Sequence, residues 1–187
     1  MRVIAGTARS IPLKAPEGMD TRPTTDRIKE TLFNILQFDL QGAVFIDIFA
    51  GSGAIGIEAL SRGAKRAVFV DNRKASIDVI EANVKKCGFY DRSRIVKTDA
   101  ENVNAYFPKD LSEEDRLIIF MDPPYNMGLE LKALKALMQS GRLSTDTLII
   151  VEEALDADLK GLNELGLEIT RVKEYKNQKH LFIKVRG

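Results

Sequence analysis

From residue 43 onward, short runs of β-branched and aromatic residues alternate with stretches of helical period: 43–48, 54–62, 66–70, 74–87 and 95–97 read as strand, helix, strand, helix, strand. A βαβαβ series confines the chain to an open α/β sheet with helices on both faces, because each crossover helix must cover a face of the sheet it serves. The second helix shows the period clearly. Ile77, Ile80, Val84 and Cys87 step by three or four residues and Gly88 follows as a C-cap, which puts Cys87 in the core. Further strands are expected at 117–121, 148–151 and 180–185, with helices at 129–138 and around 156–165. Leu148, Ile149, Ile150 and Val151 run apolar without alternation, as a parallel strand buried on both faces does. The end of the chain breaks the rhythm: 167–172 and 181–185 flank the polar residues Lys176, Asn177, Gln178 and Lys179 and suit an antiparallel hairpin.

The first 42 residues read as an extension packed on a main domain of 43–187. Residues 2–5 and 11–15 can form a small β-hairpin, and Pro23 with Thr24 or Thr25 as N-cap can open a helix running to Leu36. Ile28, Leu32, Ile35 and Leu36 make that helix amphipathic, so it should dock on the sheet. The chain has 187 residues, 44% of them hydrophobic and 29% charged, enough apolar mass for one sizeable core and too much for disorder. Lys and Arg total 28 against 27 Asp and Glu, so net charge gives no global attraction to nucleic acid. A local excess does occur in the last hairpin, where Arg171, Lys173, Lys176, Lys179, Lys184 and Arg186 surround Glu174. It reads either as a solvated edge whose lysines block edge pairing or as a phosphate-contacting surface. One cysteine, Cys87, and one histidine, His180, can supply neither a disulfide nor a structural zinc site. No stretch approaches the ~20 apolar residues of a membrane span, and the expectation is an unprocessed cytoplasmic protein.

After the strand at 43–48 come Phe49, Ala50, Gly51, Ser52, Gly53, Ala54, Ile55 and Gly56, a GxGxxG run that opens a helix. Such glycines let the backbone turn tightly and approach a ligand without a Cβ in the way, and the helix start offers free amides. Asp71, followed by Asn72, lies twenty residues after Gly51 at the end of the next strand, where a carboxylate can accept both hydrogen bonds of a ribose diol. A nicotinamide dinucleotide and S-adenosylmethionine compete for this geometry. Asp47 favours the second, because a carboxylate repels a pyrophosphate and attracts the ammonium of the methyl donor's amino-acid end. Asp99, followed by Ala100, closes the third strand where an adenine amino group would find an acceptor. Taken singly each aspartate could be a helix cap or loop carboxylate, but together they sit at the carboxyl ends of three successive strands, where open α/β sheets bind ligands.

The end of the fourth strand carries Asp122, Pro123, Pro124 and Tyr125, followed by Asn126 and Gly128. A planar exocyclic amine on a base is a poor nucleophile, since its lone pair is delocalised into the ring. A catalyst must therefore accept both N–H groups and aim the nitrogen. Asp122 and the Pro123 carbonyl can each accept one, the two prolines stiffen the turn, and Tyr125 can stack on the base. The other reading of the motif is a Pro-rich turn opened by an aspartate, with Tyr125 in the core. His180, Tyr175 and Phe182 read as structural.

These motifs resemble the class I S-adenosylmethionine-dependent methyltransferases, and Asp122 to Tyr125 resembles the motif of those that methylate exocyclic amines. With Arg2 to Arg9 and Thr21 to Leu36 added, the whole chain is similar to the bacterial 16S ribosomal RNA guanine-N2 methyltransferase family. The resemblance implies a Rossmann-like, mostly parallel seven-stranded sheet with a C-terminal antiparallel hairpin and a small N-terminal hairpin-and-helix extension. It implies S-adenosylmethionine held by Asp47, Gly51, Gly53, Asp71 and Asp99, with Phe49, Ala50, Ser52, Asn72 and Ala100 beside them and Arg22 and Thr24 nearby. Asp122 to Tyr125 would hold the target guanine, and Arg2, Arg9, Arg27, Lys176 and Lys179 would face RNA. The implied partner is 16S ribosomal RNA within the small subunit or a late assembly intermediate, met by a monomer. Three other readings remain: an adenine-N6 methyltransferase acting on DNA, a non-catalytic RNA-binding assembly factor, and a nicotinamide-dependent oxidoreductase.

Overall fold

The computed structural model describes residues 1–16, 26–112, 114–125, 127–157 and 159–187. The alternation becomes β1 (Val44–Ile48), α2 (Ala54–Ser61), β2 (Arg66–Asp71), α3 (Lys74–Lys86), β3 (Ser93–Lys97), a short α4 (Val103–Tyr106), β4 (Leu117–Met121), α5 (Leu129–Gln139) and β5 (Leu148–Ala154), followed by β6 (Leu167–Glu174) and β7 (Gln178–Val185). Ahead of them lies α1 (Asp26–Ile35). One sheet contains all seven strands in the order β3-β2-β1-β4-β5-β7-β6. The first five are parallel, and β7 runs antiparallel to both β5 and β6. The chain winds outward from β1 to β3 and then returns to lay β4 on the other side of β1. That reversal opens a crevice at the carboxyl ends of β1 and β4, where this topology binds ligands.

Side chains on successive strand residues point to opposite faces, and the two halves of the core follow that period of two. Phe45, Phe69, Phe120, Ile150 and Phe182 pack under Leu32, Phe33, Ile57, Leu60, Ile80 and Val84 of α1, α2 and α3. Ile46, Val68, Ile119, Ile149 and Ile183 pack on the other face with Tyr106 and with Ala133, Leu134 and Leu137 of α5.

Three expectations change. The helix around 156–165 is instead a turn and one 3-10 turn at Asn163–Leu165. Leu159, Leu162 and Leu165 recur every three residues, a spacing that suits a 3-10 turn better than an α-helix, and the first two bury themselves without a longer helix. The N-terminal hairpin shrinks to a single antiparallel bridge between Arg2 and Pro12, because Pro12 has no N–H with which to extend a ladder. Helix α1 buries Lys29 together with Leu32 and Phe33, while Ile28 stays half-buried. Lys29 tolerates burial because its Nζ lies 3.0 Å from Glu58 of α2 and donates to the Arg2 carbonyl at 2.5 Å. Glu58 also accepts the Ile4 and Ala5 N–H groups at 2.8 and 2.9 Å, which fastens the N-terminal segment to the helix that follows β1. The N-cap expected at Pro23 to Thr25 lies outside the described residues.

Candidate active site

The loop after β1 turns on three left-handed residues: Phe49 at φ 64, Gly51 at φ 56 and Gly53 at φ 75. For glycine this conformation costs little; for Phe49 it is strained, and such strain collects at ligand-binding turns. The Gly53 N–H donates to the Ala50 carbonyl at 2.7 Å, and the Ala50 N–H to Val70 at 3.0 Å, which ties the loop to β2. Asn83 of α3 donates to the Ser52 carbonyl at 2.9 Å and holds the loop's outer side.

Asp47 is 2% exposed, and its Oδ2 accepts the Gly56 N–H at 2.9 Å. It lies beneath the loop and clamps the start of α2, so it shapes the site from below and lends it negative charge. Burial raises its pKa well above the usual carboxylate range, the Gly56 hydrogen bond opposes that rise, and the charges of Asp122 and Asp71 add to it. Asp71 is the hub of the rim. Its Oδ2 accepts the Gly51 N–H at 3.0 Å and its Oδ1 the Arg73 N–H at 2.9 Å. Asp99 is exposed and accepts the Asn72 side-chain amide at 2.9 Å.

Between these residues lies a narrow cleft of about 50 Å³ walled by Ile48, Phe49, Val70, Ala100 and Leu129 and edged by Asp71, Asn72, Thr98, Asp99 and Glu101. None of the described residues that line it is Lys or Arg. Apolar walls with carboxylates at the rim suit a nucleoside joined to a positively charged group. What disfavours a pyrophosphate is Asp47, whose carboxyl lies directly under the glycine loop with Asp122 and Asp71 near it, a poor setting for an anion.

The Asp-Pro-Pro-Tyr turn stands next door. The Asp122 N–H donates to the Ile48 carbonyl at 3.4 Å, so the turn after β4 begins beside the glycine loop. Pro123 is buried, Pro124 is exposed, and Tyr125 is 40% exposed, which disposes of a core role for its ring. Burial, and then the charges of Glu152 and Glu153, push the Asp122 carboxyl well above its ordinary range. A higher pKa makes the carboxylate a better proton acceptor.

Around this turn the structure assembles residues that read as structural in the sequence. His180 of β7 is fully buried, with its Nε2 2.9 Å from Glu152 Oε2 and its Nδ1 3.1 Å from the Tyr175 hydroxyl. Gln178 donates to Glu152 Oε1, and the Tyr125 hydroxyl stands 3.4 Å from the same oxygen. Burial lowers the His180 pKa to about 4, so the ring is neutral near pH 7, with Tyr175 donating to Nδ1 and Nε2–H donating to Glu152. A signal for this cluster does exist: Glu152 and Glu153 directly follow the apolar run at 148–151, at a strand's carboxyl end like the aspartates.

Burial, with the charges of Glu130 and Glu152 adding to it, raises Glu153 from 4.5 to about 7, against opposing contributions from the Ala154 N–H and Lys179. Its Oε1 is buried without a hydrogen-bond partner. A carboxyl raised in this way binds its proton more tightly in the folded state. Its contribution to stability is therefore complete below about pH 4.5 and is lost as the pH rises through about 7. The variant Glu153→Gln should match the parent's melting temperature near pH 4 and exceed it at pH 8, as thermal denaturation across that range will measure.

None of the other expected residues that the structure describes lines the cleft. Arg22 and Thr24 lie outside the described residues. Arg2 pairs with Asp26 at 3.0 Å, and Arg9 and Arg27 are exposed on the N-terminal segment and α1. Lys176 is exposed in the last hairpin, while Lys179 donates to the Leu155 and Ala157 carbonyls at 2.9 and 2.6 Å and serves the loop after β5.

A relative from Bacillus subtilis (strain 168) is 38% identical over 160 residues, covering 85% of this chain and 85% of its own. Ribosomal RNA small subunit methyltransferase D of Escherichia coli (strain K12) is 35% identical over 161 residues, covering 85% of this chain and 77% of its own. A solved structure from Escherichia coli aligns with a TM-score of 0.80 at 29% identity, covering 100% of this chain and 98% of that one. The architecture is the Rossmann-like fold of S-adenosylmethionine-dependent methyltransferases. The chain belongs to the family described as Conserved hypothetical protein 95, whose model matches residues 1–184.

Proposed function

We propose that this chain transfers a methyl group from S-adenosylmethionine to the exocyclic N2 of a guanine in the RNA of the small ribosomal subunit. The observation that carries the reading is the adjacency of two sites. A carboxylate-rimmed cleft at the carboxyl ends of β1, β2 and β3 lies beside an Asp-Pro-Pro-Tyr turn at the carboxyl end of β4, and Ile48, which lines the cleft, accepts the Asp122 N–H. The name of the Escherichia coli relative supports the choice of RNA.

S-adenosylmethionine, when bound, supplies an electrophilic methyl group on a positively charged sulfur. Asp71 would accept from its ribose, Asp99 and the apolar walls would hold its adenine, and Phe49 to Gly53 with Asp47 beneath would shape the end that carries its amino acid. Tyr125 stacks on a guanine drawn out of its own stack, which leaves the amine facing the cleft. Asp122 and the Pro123 carbonyl each accept one N–H of that amine, which aims the nitrogen lone pair along a single line. As the nitrogen becomes positive, the Asp122 carboxylate stabilises the charge and then takes the released proton.

Residues 43–187 carry this chemistry. The N-terminal segment, fastened to α2 through Glu58, would offer the exposed Arg2, Arg9 and Arg27 to RNA, and the exposed Lys176 would do so from the last hairpin. The enzyme works as a monomer in the cytoplasm on the assembled subunit or a late precursor. Among the described residues no helix is long and apolar enough to cross a membrane. The test is transfer of labelled methyl to small subunits from cells lacking the enzyme, beside naked ribosomal RNA and duplex DNA, with nucleoside analysis of the products. N2-methylguanosine on the subunits is the expected product. Label in DNA adenine, or none anywhere despite cofactor binding, would overturn the proposal.

A further inference from the structure

Three donors converge on one buried carboxylate at the edge of the crevice. Glu152 is 3% exposed, and around it stand Gln178 and His180 of β7 and the Tyr125 hydroxyl of the catalytic turn. Behind His180, the half-buried Tyr175 completes a chain of hydrogen bonds that begins near the surface. A buried carboxylate with this many donors has a fixed direction, because turning it would leave several groups unsatisfied at once. Tyr125 differs from the other donors. Its ring is partly exposed, and its hydroxyl at 3.4 Å is short of a closed O–H···O bond.

We propose that Glu152 is a positioning residue for base capture: braced from β7 by His180 and Gln178, it draws in the Tyr125 hydroxyl and sets the plane of the ring on which the target base stacks. The inference rests on the reading of Tyr125 as that stacking residue, and it adds a specific support to it. Of the three acids near this turn, Asp122, Glu152 and Glu153, it is Glu152 whose oxygen the hydroxyl approaches. A stacking ring that can swing places the amine off line with the methyl donor, so loss of the brace should appear in kcat more than in KM.

The test is a double-mutant cycle read in methyl transfer, accompanied by nitrogen-15 NMR of His180, the only histidine in the chain. Glu152→Leu should lower kcat about 30-fold, Tyr125→Phe about 10-fold, and the double variant little further than Glu152→Leu alone, since both changes remove the same contact. Glu152→Gln should restore kcat to within about threefold of the parent. The amide oxygen still accepts from Tyr125 and Gln178, and its NH₂ donates to a His180 ring that has moved its proton to Nδ1, a tautomer change visible in the nitrogen shifts. Equal losses for Glu152→Leu whether or not Tyr125→Phe is also present, or a Gln variant as impaired as the Leu variant, would overturn the proposal.

The NMR arm needs neither cofactor nor RNA. In the parent, the Nε2–H tautomer is expected, and Tyr125→Phe should shift the Nε2 resonance through the shared carboxylate. An imidazole signal indifferent to Tyr125→Phe overturns the linkage, even if Glu152→Leu proves too unstable to assay. A parent enzyme that methylates no ribosomal RNA would count against the proposed function alone, with the imidazole response still deciding whether Glu152 holds Tyr125.

Discussion

Asp122→Ala is expected to slow methyl transfer about 10³-fold while leaving the affinity for S-adenosylmethionine within about threefold of the parent. The separation follows from where the residue's groups point. Its main-chain N–H bonds to Ile48 and is kept by alanine, so the turn stays beside β1. The side chain is the part lost, and with it go the amine acceptor and the base that the proposed mechanism assigns to it. Folding does not confound the result. Burial and the charges of Glu152 and Glu153 oppose ionisation of Asp122, so its removal relieves repulsion, and the melting temperature at pH 8 should hold or rise. Asp122→Asn keeps an acceptor but no base, and should fall between the two, about 10- to 100-fold down. Single-turnover rates on small subunits, set beside equilibrium dialysis of the cofactor, will measure both effects. An alanine variant within threefold of the parent in turnover would end the assignment of Asp122.

Much of this site is legible in the sequence because it depends on strand ends. Parallel strands buried on both faces appear in sequence as unbroken apolar runs, and the first polar residues after them fall at the carboxyl edge where ligands bind. Asp71 and Asp122 follow from that rule, as does Asp99 just beyond its strand. Asp47, a strand residue, stands out through its place before the glycine loop, but the structure seals it under that loop on Gly56. A local pattern reports that a carboxylate is near a site and not which way it faces. The position of Glu152 follows from the same rule, but its pairing with His180 escapes the sequence for a different reason. Glu152 and His180 are direct cross-strand partners 28 residues apart, brought together by the register of β5 against β7. That register involves a strand pairing that no local period encodes. Lys29 escapes likewise: its buried partner Glu58 lies on another helix, and hydrophobic periodicity treats every lysine as solvent-facing.

Gly56→Ala should weaken S-adenosylmethionine binding about 30-fold or more and lower the melting temperature by several degrees, although alanine is by far the better helix former. The effect is one of packing. A Cβ at residue 56 would lie 2.4 Å from Phe69 Cε1 and 2.9 Å from Cζ, and overpacking a tight contact typically costs about 1–3 kcal/mol. Phe69 has little room to yield, being fully buried in β2 between Asp47 of β1 and Ile95 of β3. Helix α2 must lift instead. Lifting it withdraws the Gly56 N–H from Asp47 and shifts Gly51 away from Asp71, so the loop loses its form where the cofactor would sit. Two companions isolate the cause. Gly88→Ala meets nothing within 4 Å but carries a left-handed φ of 73, so it should cost stability through backbone strain alone and leave cofactor affinity intact. Phe69→Leu, added to Gly56→Ala, removes the ring atoms in conflict and should recover most of the lost binding. If Gly56→Ala binds the cofactor like the parent, the loop does not depend on this contact. If Phe69→Leu fails to rescue a damaged Gly56→Ala, the damage comes from the backbone of α2 and not from the ring beneath it.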